Sequence, residues 1–266
     1  MSESLRNDML ENGADIEALK AVYVSLSRIS LNLSDKNILK DISFDLADTG
    51  ITTLIGPSGA GKSSLLRCLT LLYDHWQGYI SIANTDIHSW PGGVDVLRRH
   101  IGLIAQKPAV FPVSIFQNVI FGLPRQARKK DQRAWVEACL EKAALWSEVK
   151  DRLHTPAHAL SVGQQQRLCL ARALALKPKV LLLDEPTASL DPRSKQLIEI
   201  SLRDLAKNMP VLCVTHDLEQ AQRLQGQVIF MCDGKLIETA NTAEFFQQPK
   251  RLESREFLRW SVCDCS

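Results

Sequence analysis

A glycine-rich octapeptide early in the chain has the residue types and spacing needed to hold a polyphosphate. Residues 56–63 read Gly-Pro-Ser-Gly-Ala-Gly-Lys-Ser, which fits the pattern G-x-x-x-x-G-K-[ST]. Glycines let backbone N–H groups turn inward around phosphate oxygens, and a following helix presents its positive end. Lys62 can reach the outer phosphates, and the Ser63 hydroxyl can ligate Mg²⁺. The predicted nucleotide-binding residues of this segment are Gly56, Pro57, Ser58, Gly59, Ala60, Gly61, Lys62, Ser63 and Ser64.

Two adjacent carboxylates follow an apolar run further along the chain. Residues 180–183 are Val-Leu-Leu-Leu, and Asp184 and Glu185 come directly after them. Such a run favours a buried strand, so the two acids would lie at its end. Beside a phosphate-binding loop, Asp184 would hold Mg²⁺ through water, and Glu185 would act as general base on the attacking water. Without that loop, the same pair would be only a strand that ends in polar residues.

Strand and helix patterns surround both segments and must position them. Strands are predicted where apolar residues form short runs or alternate with polar ones, at 42–46, 51–55, 78–82, 101–105, 180–183, 211–214 and 227–231. Helices are predicted where apolar residues recur with helical spacing, at 62–72, 131–149, 168–176 and 197–205. Strands separated by helices indicate an α/β fold with a mainly parallel sheet.

Composition limits the classes of partner and compartment. The chain has 266 residues, 45% of them hydrophobic, which is typical of one large globular domain or a domain with a subdomain. A net charge of +2 gives no overall attraction to nucleic acid or anionic lipid. No apolar run approaches the ~18 residues of a membrane span, and the polar N-terminus does not resemble a secretory signal. The seven cysteines are predicted to be reduced core thiols, apart from Cys263 and Cys265 in a frayed tail.

Further motifs identify a family. Residues 160–164, Leu-Ser-Val-Gly-Gln, resemble the signature L-S-G-G-Q of ABC ATPases and precede the strand acids in the family's order. Gln106 looks like the Q-loop glutamine, residues 189–191 look like the D-loop, and His216 looks like the switch histidine. With the glycine loop and the acid pair, these motifs make residues 22–240 similar to an ABC ATPase cassette.

The resemblance implies an architecture. We expect a P-loop NTPase core with a mainly parallel sheet, an antiparallel β subdomain and an inserted α-helical subdomain. The expected segments are an N-terminal extension at 1–20, the cassette at 21–255 with the helical subdomain at about 107–160, and a C-terminal tail at 256–266.

The resemblance also implies a division of labour between two copies. In one copy, Glu185 and His216 would be catalytic, and Ser63, Gln106 and Asp184 would hold Mg²⁺ beside ATP. The opposing copy would supply Ser161, Gly163 and Gln164 to the γ-phosphate of that ATP. The expected assembly is therefore a homodimer that sandwiches its nucleotides.

Two positions depart from the family's pattern. Val162 replaces the first glycine of the signature, and since a β-branched residue does not easily adopt a positive φ, the local turn is expected to shift. Leu33 stands near the position where the family stacks an aromatic ring on adenine. We expect an adenine contact there that is weaker or purely hydrophobic, and a role for Tyr23 within a strand.

A narrower resemblance concerns the transported substrate. Residues 106–115, 144–153 and 164–172 look like the ATPase subunit of bacterial phosphate importers. This likeness implies hydrolysis of ATP to ADP and phosphate at the cytoplasmic face of the inner membrane, where the protein would be peripheral. The implied partners are two permease subunits, docked near Lys107 and the segment from Phe111 to Phe116, and indirectly a substrate-binding protein, without nucleic acid.

Other ABC classes remain as alternatives or are disfavoured. An importer of another oxyanion or an amino acid, or a cytosolic ABC ATPase without a transport role, remains open. A chromosome-maintenance ATPase would carry a long coiled coil between Lys62 and Ser161, and that stretch is too short. A translation factor would carry two cassettes, and a fused exporter would carry its own membrane spans.

Overall fold

The computed structural model of the protein describes residues 22–123 and 131–260. The predicted extension at 1–20 and the pair Cys263 and Cys265 lie outside these residues. The strands, in chain order, are β1 Val22–Leu33, β2 Lys36–Ala47, β3 Gly50–Ile55, β4 Gln77–Ile82, β5 Thr85–Asp86, β6 Ile101–Ile104, β7 Val180–Asp184, β8 Pro210–Val214, β9 Gln227–Cys232 and β10 Lys235–Asn241. The α-helices are α1 Lys62–Leu69, α2 Val94–His100, α3 Ile115–Ile120, α4 Gln132–Lys142, α5 Trp146–Val149, α6 Val162–Ala175, α7 Pro192–Leu205, α8 Leu218–Leu224, α9 Thr242–Gln247 and α10 Leu252–Trp260.

The larger sheet has the order β10-β9-β3-β8-β7-β6. Its neighbours pair in parallel except for β10, which is antiparallel to β9. Strands β3, β7 and β8 lie inside this sheet and are almost entirely buried, which accounts for their nearly continuous apolar sequence. The predicted α/β fold with a mainly parallel sheet is confirmed.

The register of the central strands brings their carboxyl ends to one edge of the sheet. Leu54 of β3 and Asp184 of β7 both pair with Val214 of β8. The segments that follow these strands are therefore neighbours: the glycine loop, Glu185, and residues 215–216. Ligands of open parallel sheets bind at such an edge.

The smaller sheet is antiparallel, with the order β2-β1-β4-β5. Its inner face, including Leu26, Ile29 and Ile42, packs in one hydrophobic cluster with Leu65 and Leu69 of α1. The predicted antiparallel β subdomain is therefore present, and it supports the helix that follows the glycine loop.

Helices α3 to α5 lie between β6 and β7 and pack with α6 around a second cluster that includes Val136, Leu140 and Leu168. The sequence predicted a helical segment at 131–149, and the structure confirms it, although the segment is not one continuous helix. The chain breaks into α4 and α5, since Ala144 takes a left-handed conformation with φ of 51° that no helix interior can contain.

The C-terminal part covers the edge of the larger sheet formed by β9 and β10. Phe230 of β9 stacks on Phe257 of α10 with ring centroids 4.8 Å apart, and Phe245 of α9 completes this buried cluster. The predicted boundary at residue 255 falls inside α10. In the ranges described, no helix is long and apolar enough to cross a membrane.

Four cysteines, Cys68, Cys139, Cys169 and Cys213, are buried free thiols, as predicted. Burial raises the pKa of the Cys68 thiol to about 12, which keeps it protonated and weakly reactive. Cys232 is disulfide-bonded, so the prediction of a reduced thiol is wrong for this residue. Pairing depends on the approach of two sulfur atoms in space, and spacing along the chain does not reveal that.

Candidate functional site

The glycine loop leaves β3 at a position that only glycine can occupy. Gly56 has φ of 150°, and a Cβ on it would overlap the carbonyl oxygen of Met231 in β9. At the other end of the loop, Gly61 is the N-cap of α1 and makes no side-chain cap hydrogen bond. The first N–H groups of this helix are therefore left for an anion, which fits a phosphate site.

The Lys62 side chain bridges the two ends of this loop. Its side chain is 6% exposed, and its Nζ donates to the carbonyl oxygens of Gly56 at 2.7 Å and Pro57 at 2.8 Å. Burial lowers the pKa of Lys62, and the charges of Glu185 and Asp184 act in the opposite direction. An anion in the loop would offer this ammonium group a stronger acceptor than two neutral carbonyls.

Ser63 and Asp184 form an oxygen pair suited to a hard divalent cation. The Ser63 hydroxyl donates to Asp184 Oδ1 at 2.8 Å. Burial raises the pKa of Asp184, although the hydrogen bond from Ser63 lowers it. A cation beside this carboxylate would offset the cost of its burial. One hydroxyl and one carboxylate, completed by water and phosphate oxygens, is a typical Mg²⁺ environment.

Glu185 is the centre of the site. Its Oε2 accepts from Gln106 Nε2 at 2.9 Å and lies 3.0 Å from His216 Nδ1. Its backbone takes φ of 48°, and its N–H donates to the carbonyl oxygen of Val214 at 3.0 Å. Positive φ in a residue other than glycine costs of order 1–3 kcal/mol and is typical of functional sites. The turn directs the carboxylate, whose side chain is 19% exposed, to the edge of the sheet.

The signature residues form a separate, self-contained helix start. Ser161 is the N-cap of α6, where its Oγ accepts from the Gln164 N–H at 3.3 Å and its own N–H donates to Gln164 Oε1 at 3.0 Å. A Cβ at Gly163 would overlap the Ser194 hydroxyl of α7. Glycine is therefore required there by packing within the chain, independently of any ligand.

Val162 corrects one expectation. It is the first helical residue of α6 and is not among the non-glycine residues with positive φ. The turn is therefore not displaced by the valine, because this position needs helical dihedrals that valine adopts readily. Its side chain is 49% exposed, so the consequence of the replacement is an apolar group on the surface of the signature turn.

The candidate residues fall into two groups. In the first group, Ser63 is hydrogen-bonded to Asp184, and Lys62 lies within the electrostatic influence of Asp184 and Glu185. Glu185 in turn contacts Gln106 and His216. Within residues 22–123 and 131–260, no hydrogen bond joins Ser161, Gly163 or Gln164 to that group. Leu33 ends β1 half-buried, and Tyr23 lies within β1, as expected.

A groove lies between the larger sheet and the helical part, which comprises α3 to α6. It has a volume of about 350 Å³, and its lining includes Leu72, Arg98, Phe111, Phe121 and Arg172. Phe111 stacks on Phe121 with ring centroids 4.0 Å apart, and Phe121 is 53% exposed. Phe111 itself is half-buried, and a partly exposed aromatic pair in a concave surface is typical of a protein-binding site.

Sequence reasoning missed side chains that hold the loop between Gln106 and α3. Asn118 is fully buried; its Oδ1 accepts from the Phe111 N–H at 2.9 Å and its Nδ2 donates to the Ser114 carbonyl at 3.0 Å. Arg172 lies over the Phe111 ring at 4.5 Å. A polar residue at an apolar position of a short helix was the only signal that could have indicated Asn118.

Comparison with known proteins identifies the family. The sequence model of the ABC transporter family matches residues 39–188. The chain is 41% identical over 245 residues to the phosphate import ATP-binding protein PstB 2 of Lactiplantibacillus plantarum, covering 90% of this chain and 98% of that protein. It is 42% identical over 243 residues to PstB 1 of Yersinia pestis, covering 88% and 90%. It is 41% identical over 253 residues to PstB of Shewanella denitrificans, covering 92% and 93%.

Solved structures share the fold. CbiO1 from Clostridium perfringens, described as part of the ABC transporter complex CbiONQ, superposes with a TM-score of 0.75 at 29% identity, covering 91% of this chain and 97% of that one. A bacterial Atm1-family ABC exporter with ATP bound gives a TM-score of 0.77 at 26% identity, covering 97% of this chain and 47% of that one.

Proposed function

This chain belongs to the ABC transporter family, and from that premise we propose that it is the ATP-hydrolysing subunit of an importer that carries phosphate across the cytoplasmic membrane. Two copies would pair around ATP, and two permease subunits would receive the resulting movement. The observation that carries the proposal is the Glu185 carboxylate, held by Gln106 and His216 at the edge where Lys62 and Ser63 also lie.

Nucleotide binding follows from the glycine loop. The free N–H groups at the start of α1 would bind phosphate oxygens, and Lys62 would exchange its two carbonyl acceptors for the outer phosphates. Ser63 and Asp184 would hold Mg²⁺, with Gln106 as the third expected ligand side chain. When bound, this ion neutralises charge on the phosphate oxygens.

Hydrolysis needs one proton acceptor at the outer phosphate. Glu185 takes a proton from a water molecule whose oxygen attacks the γ-phosphorus, while the bond from that phosphorus to the oxygen of ADP breaks. Gln106 Nε2 donates to the carboxylate and so fixes its orientation. His216 Nδ1 lies beside the same oxygen. A protonated Nδ1 would donate a hydrogen bond to Glu185 and leave Nε2 facing outward.

The signature turn is assigned to the nucleotide of the second copy. Ser161 and Val162 are exposed, and the α6 N-terminus carries a positive partial charge suited to a phosphate. Since the hydrogen bonds of Ser161 and Gln164 in the described structure stay within the helical part, its anion-binding face is open to another chain. A homodimer completes each site by this route.

The groove lined by Phe111 and Phe121 is the proposed docking site for a permease. Its lining is mostly apolar, and Arg98 and Arg172 are its charged members. Gln106 lies five positions before Phe111, so a partner seated on Phe111 could displace the loop that holds Glu185. This docking would place the protein on the cytoplasmic face of the membrane.

Phosphate as the transported substrate rests on the relatives. Each of the three named above is a phosphate import ATP-binding protein and aligns over about nine-tenths of this chain. This likeness favours phosphate over another oxyanion or an amino acid. A separate substrate-binding protein and the permease would select the ion.

Uptake in cells tests the proposal. A strain that lacks this gene is supplied with the wild-type protein or with Glu185→Gln, and accumulation of radiolabelled phosphate, sulfate and glutamate is measured. We expect the wild type alone to restore phosphate accumulation and to leave the other two unchanged. Restoration of sulfate or glutamate instead would contradict the substrate assignment, and equal restoration by both proteins would contradict the role of hydrolysis.

A further inference from the structure

A carboxylate from α5 is bonded to the first turn of the signature helix. Glu148 Oε1 accepts from Arg167 at 2.6 Å, and its Oε2 accepts from the second guanidinium nitrogen at 3.2 Å. The same Oε2 accepts from Gln164 Nε2 at 2.8 Å. One side chain outside α6 therefore binds two side chains of the helix that Ser161 caps.

The bond to Gln164 fixes which way its amide faces. Gln164 Oε1 must accept from the Ser161 N–H for the capping box to form. The amide can do so only if its Nε2 points the other way, and Glu148 is the acceptor that it meets there. Glu148 thus keeps the cap of Ser161 in the one orientation in which both hydrogen bonds exist.

Arg167 adds a second connection. Its side chain is 3% exposed, and besides Glu148 it donates to the carbonyl oxygen of Ala144 at 2.5 Å, where the chain breaks between α4 and α5. The hydrogen bond from Arg167 holds the pKa of Glu148 below its ordinary value, so this carboxyl group stays charged. A buried guanidinium without that partner would be costly, so these bonds hold α5 against the start of α6.

We propose that Glu148 is a positioning residue of the reaction: it holds the signature turn, through Gln164 and Arg167, in the geometry that engages the phosphate of ATP on a second copy. The inference rests on the proposed function, and it adds a side chain from the helical part to the catalytic assembly. Glu148 acts only through the turn, so its loss should lower turnover and leave nucleotide binding to the glycine loop of the same chain intact.

A second bidentate arginine–glutamate pair in the chain provides a matched control. Arg223 of α8 donates to both oxygens of Glu199 of α7, at 2.9 and 3.0 Å, and Glu199 is 3% exposed. In the part of the chain that the structure describes, no hydrogen bond of this pair reaches Ser161 or Gln164. Replacing Glu199 with Gln neutralises a more deeply buried carboxylate in a pair of the same kind, so it reproduces any general loss of stability without touching the signature turn.

The experiment measures ATPase kcat and the affinity of the monomer for N-methylanthraniloyl-ATP in wild type, Glu148→Gln and Glu199→Gln. Small misplacements of a binding group cost up to about 10²-fold in rate. We expect about a tenfold or larger fall in kcat for Glu148→Gln, with nucleotide affinity within about twofold, and near wild-type kcat for Glu199→Gln. Equal losses in both variants, or wild-type kcat in Glu148→Gln, would overturn the inference.

A second variant covers the case in which Glu148→Gln does not fold. Glu148→Asp keeps the charge for Arg167 but is one methylene too short to reach Gln164 as well, so a partial fall in kcat is expected. Wild-type kcat in folded Glu148→Asp would count against the inference. A wild-type protein that binds nucleotide but does not hydrolyse it would instead refute the proposed function itself, and the inference with it.

Discussion

The edge of the parallel sheet and the signature turn differ in which parts of the chain their hydrogen bonds connect. At the edge, Ser63 binds Asp184, and Gln106 and His216 converge on Glu185. At the turn, hydrogen bonds form within the cap of α6 and back to α5. The first region is a set of reactive groups brought together by separate strands, whereas the second is a rigid surface without reactive groups of its own.

The difference indicates that one chain carries two unlike halves of a site. The edge supplies binding and proton transfer and depends on its side chains one by one. The turn supplies an oriented helix start and depends on being held in place. Loss of a functional group at the edge should therefore have a larger effect than a change in how the turn is held, and effects at the turn should require a second copy.

The largest effect is expected from Glu185→Gln. It keeps the size and the hydrogen bonds of the side chain but removes the proton acceptor, so hydrolysis should fall by about 10²–10⁴. ATP binding should survive because Lys62, Ser63 and Asp184 are unchanged. Phosphate release by the purified protein measures the loss, with Glu219→Gln on the surface of α8 as control.

The same variant should remain paired around unhydrolysed nucleotide. Gel filtration with Mg-ATP is expected to give a dimer for Glu185→Gln and a smaller species without ATP. A monomer with near-normal turnover would contradict both the base and the pairing. A monomer with lost turnover would leave the base intact and mean that pairing needs the permease.

The next largest effect is expected from Lys62→Ala. Hydrogen bonds to charged groups contribute about 1.5–3 kcal/mol, so ATP affinity should fall by about 10- to 10²-fold. Isothermal titration calorimetry measures this loss. Lys207→Ala, which changes an exposed lysine just after the C-terminal end of α7, serves as control. Affinity equal to that of the parent would show that the glycine loop is not the nucleotide site.

Much of the edge could be predicted from sequence because its determinants are local. A strand that runs into Gly56, or into Asp184 and Glu185, is visible as an apolar run followed by a few residues of special type. The helical part was harder, since the break at Ala144 depends on a left-handed backbone residue and on the Arg167 contact to its carbonyl. Contacts between distant residues leave no periodic signal.

At Val162, the sequence pattern suggested a backbone constraint that the structure does not have. The glycine of the family's signature suggested a need for positive φ, but the structure places this residue in the first turn of a helix. The role of glycine at the next position is packing against Ser194, which no pattern along the chain reveals. Glu148 was missed for this reason too, because its partners lie in another helix.

A change in the groove should separate transport from nucleotide binding. Phe111→Asp places a charge in the apolar aromatic pair, and we expect phosphate uptake to fall by about tenfold or more, as for a central interface residue. ATP affinity should stay close to that of the parent. Tyr79→Asp, another exposed aromatic, is the matched control; unchanged uptake in Phe111→Asp would remove the docking assignment.

The smallest effect is expected from Val162→Gly. The valine causes no backbone strain, and its exposed side chain only adds apolar bulk to the turn. ATPase activity should rise slightly or stay level, within about a fewfold, since surface changes have small effects. A large fall, measured at equal dimer concentration, would mean that the valine makes a favourable contact across the pair.

One mixing experiment tests directly whether the two halves of each site come from different chains. Ser161→Asp keeps a good helix cap but adds a negative charge to the face offered to phosphate, and Glu185→Gln lacks the proton acceptor. Each alone should be nearly inactive, while a mixed dimer unites the intact edge of one chain with the intact turn of the other. Mixing the two proteins should therefore restore ATP hydrolysis well above the sum of their separate rates. A mixture that stays at that sum, although the two chains co-elute, would contradict this sharing of the site between chains.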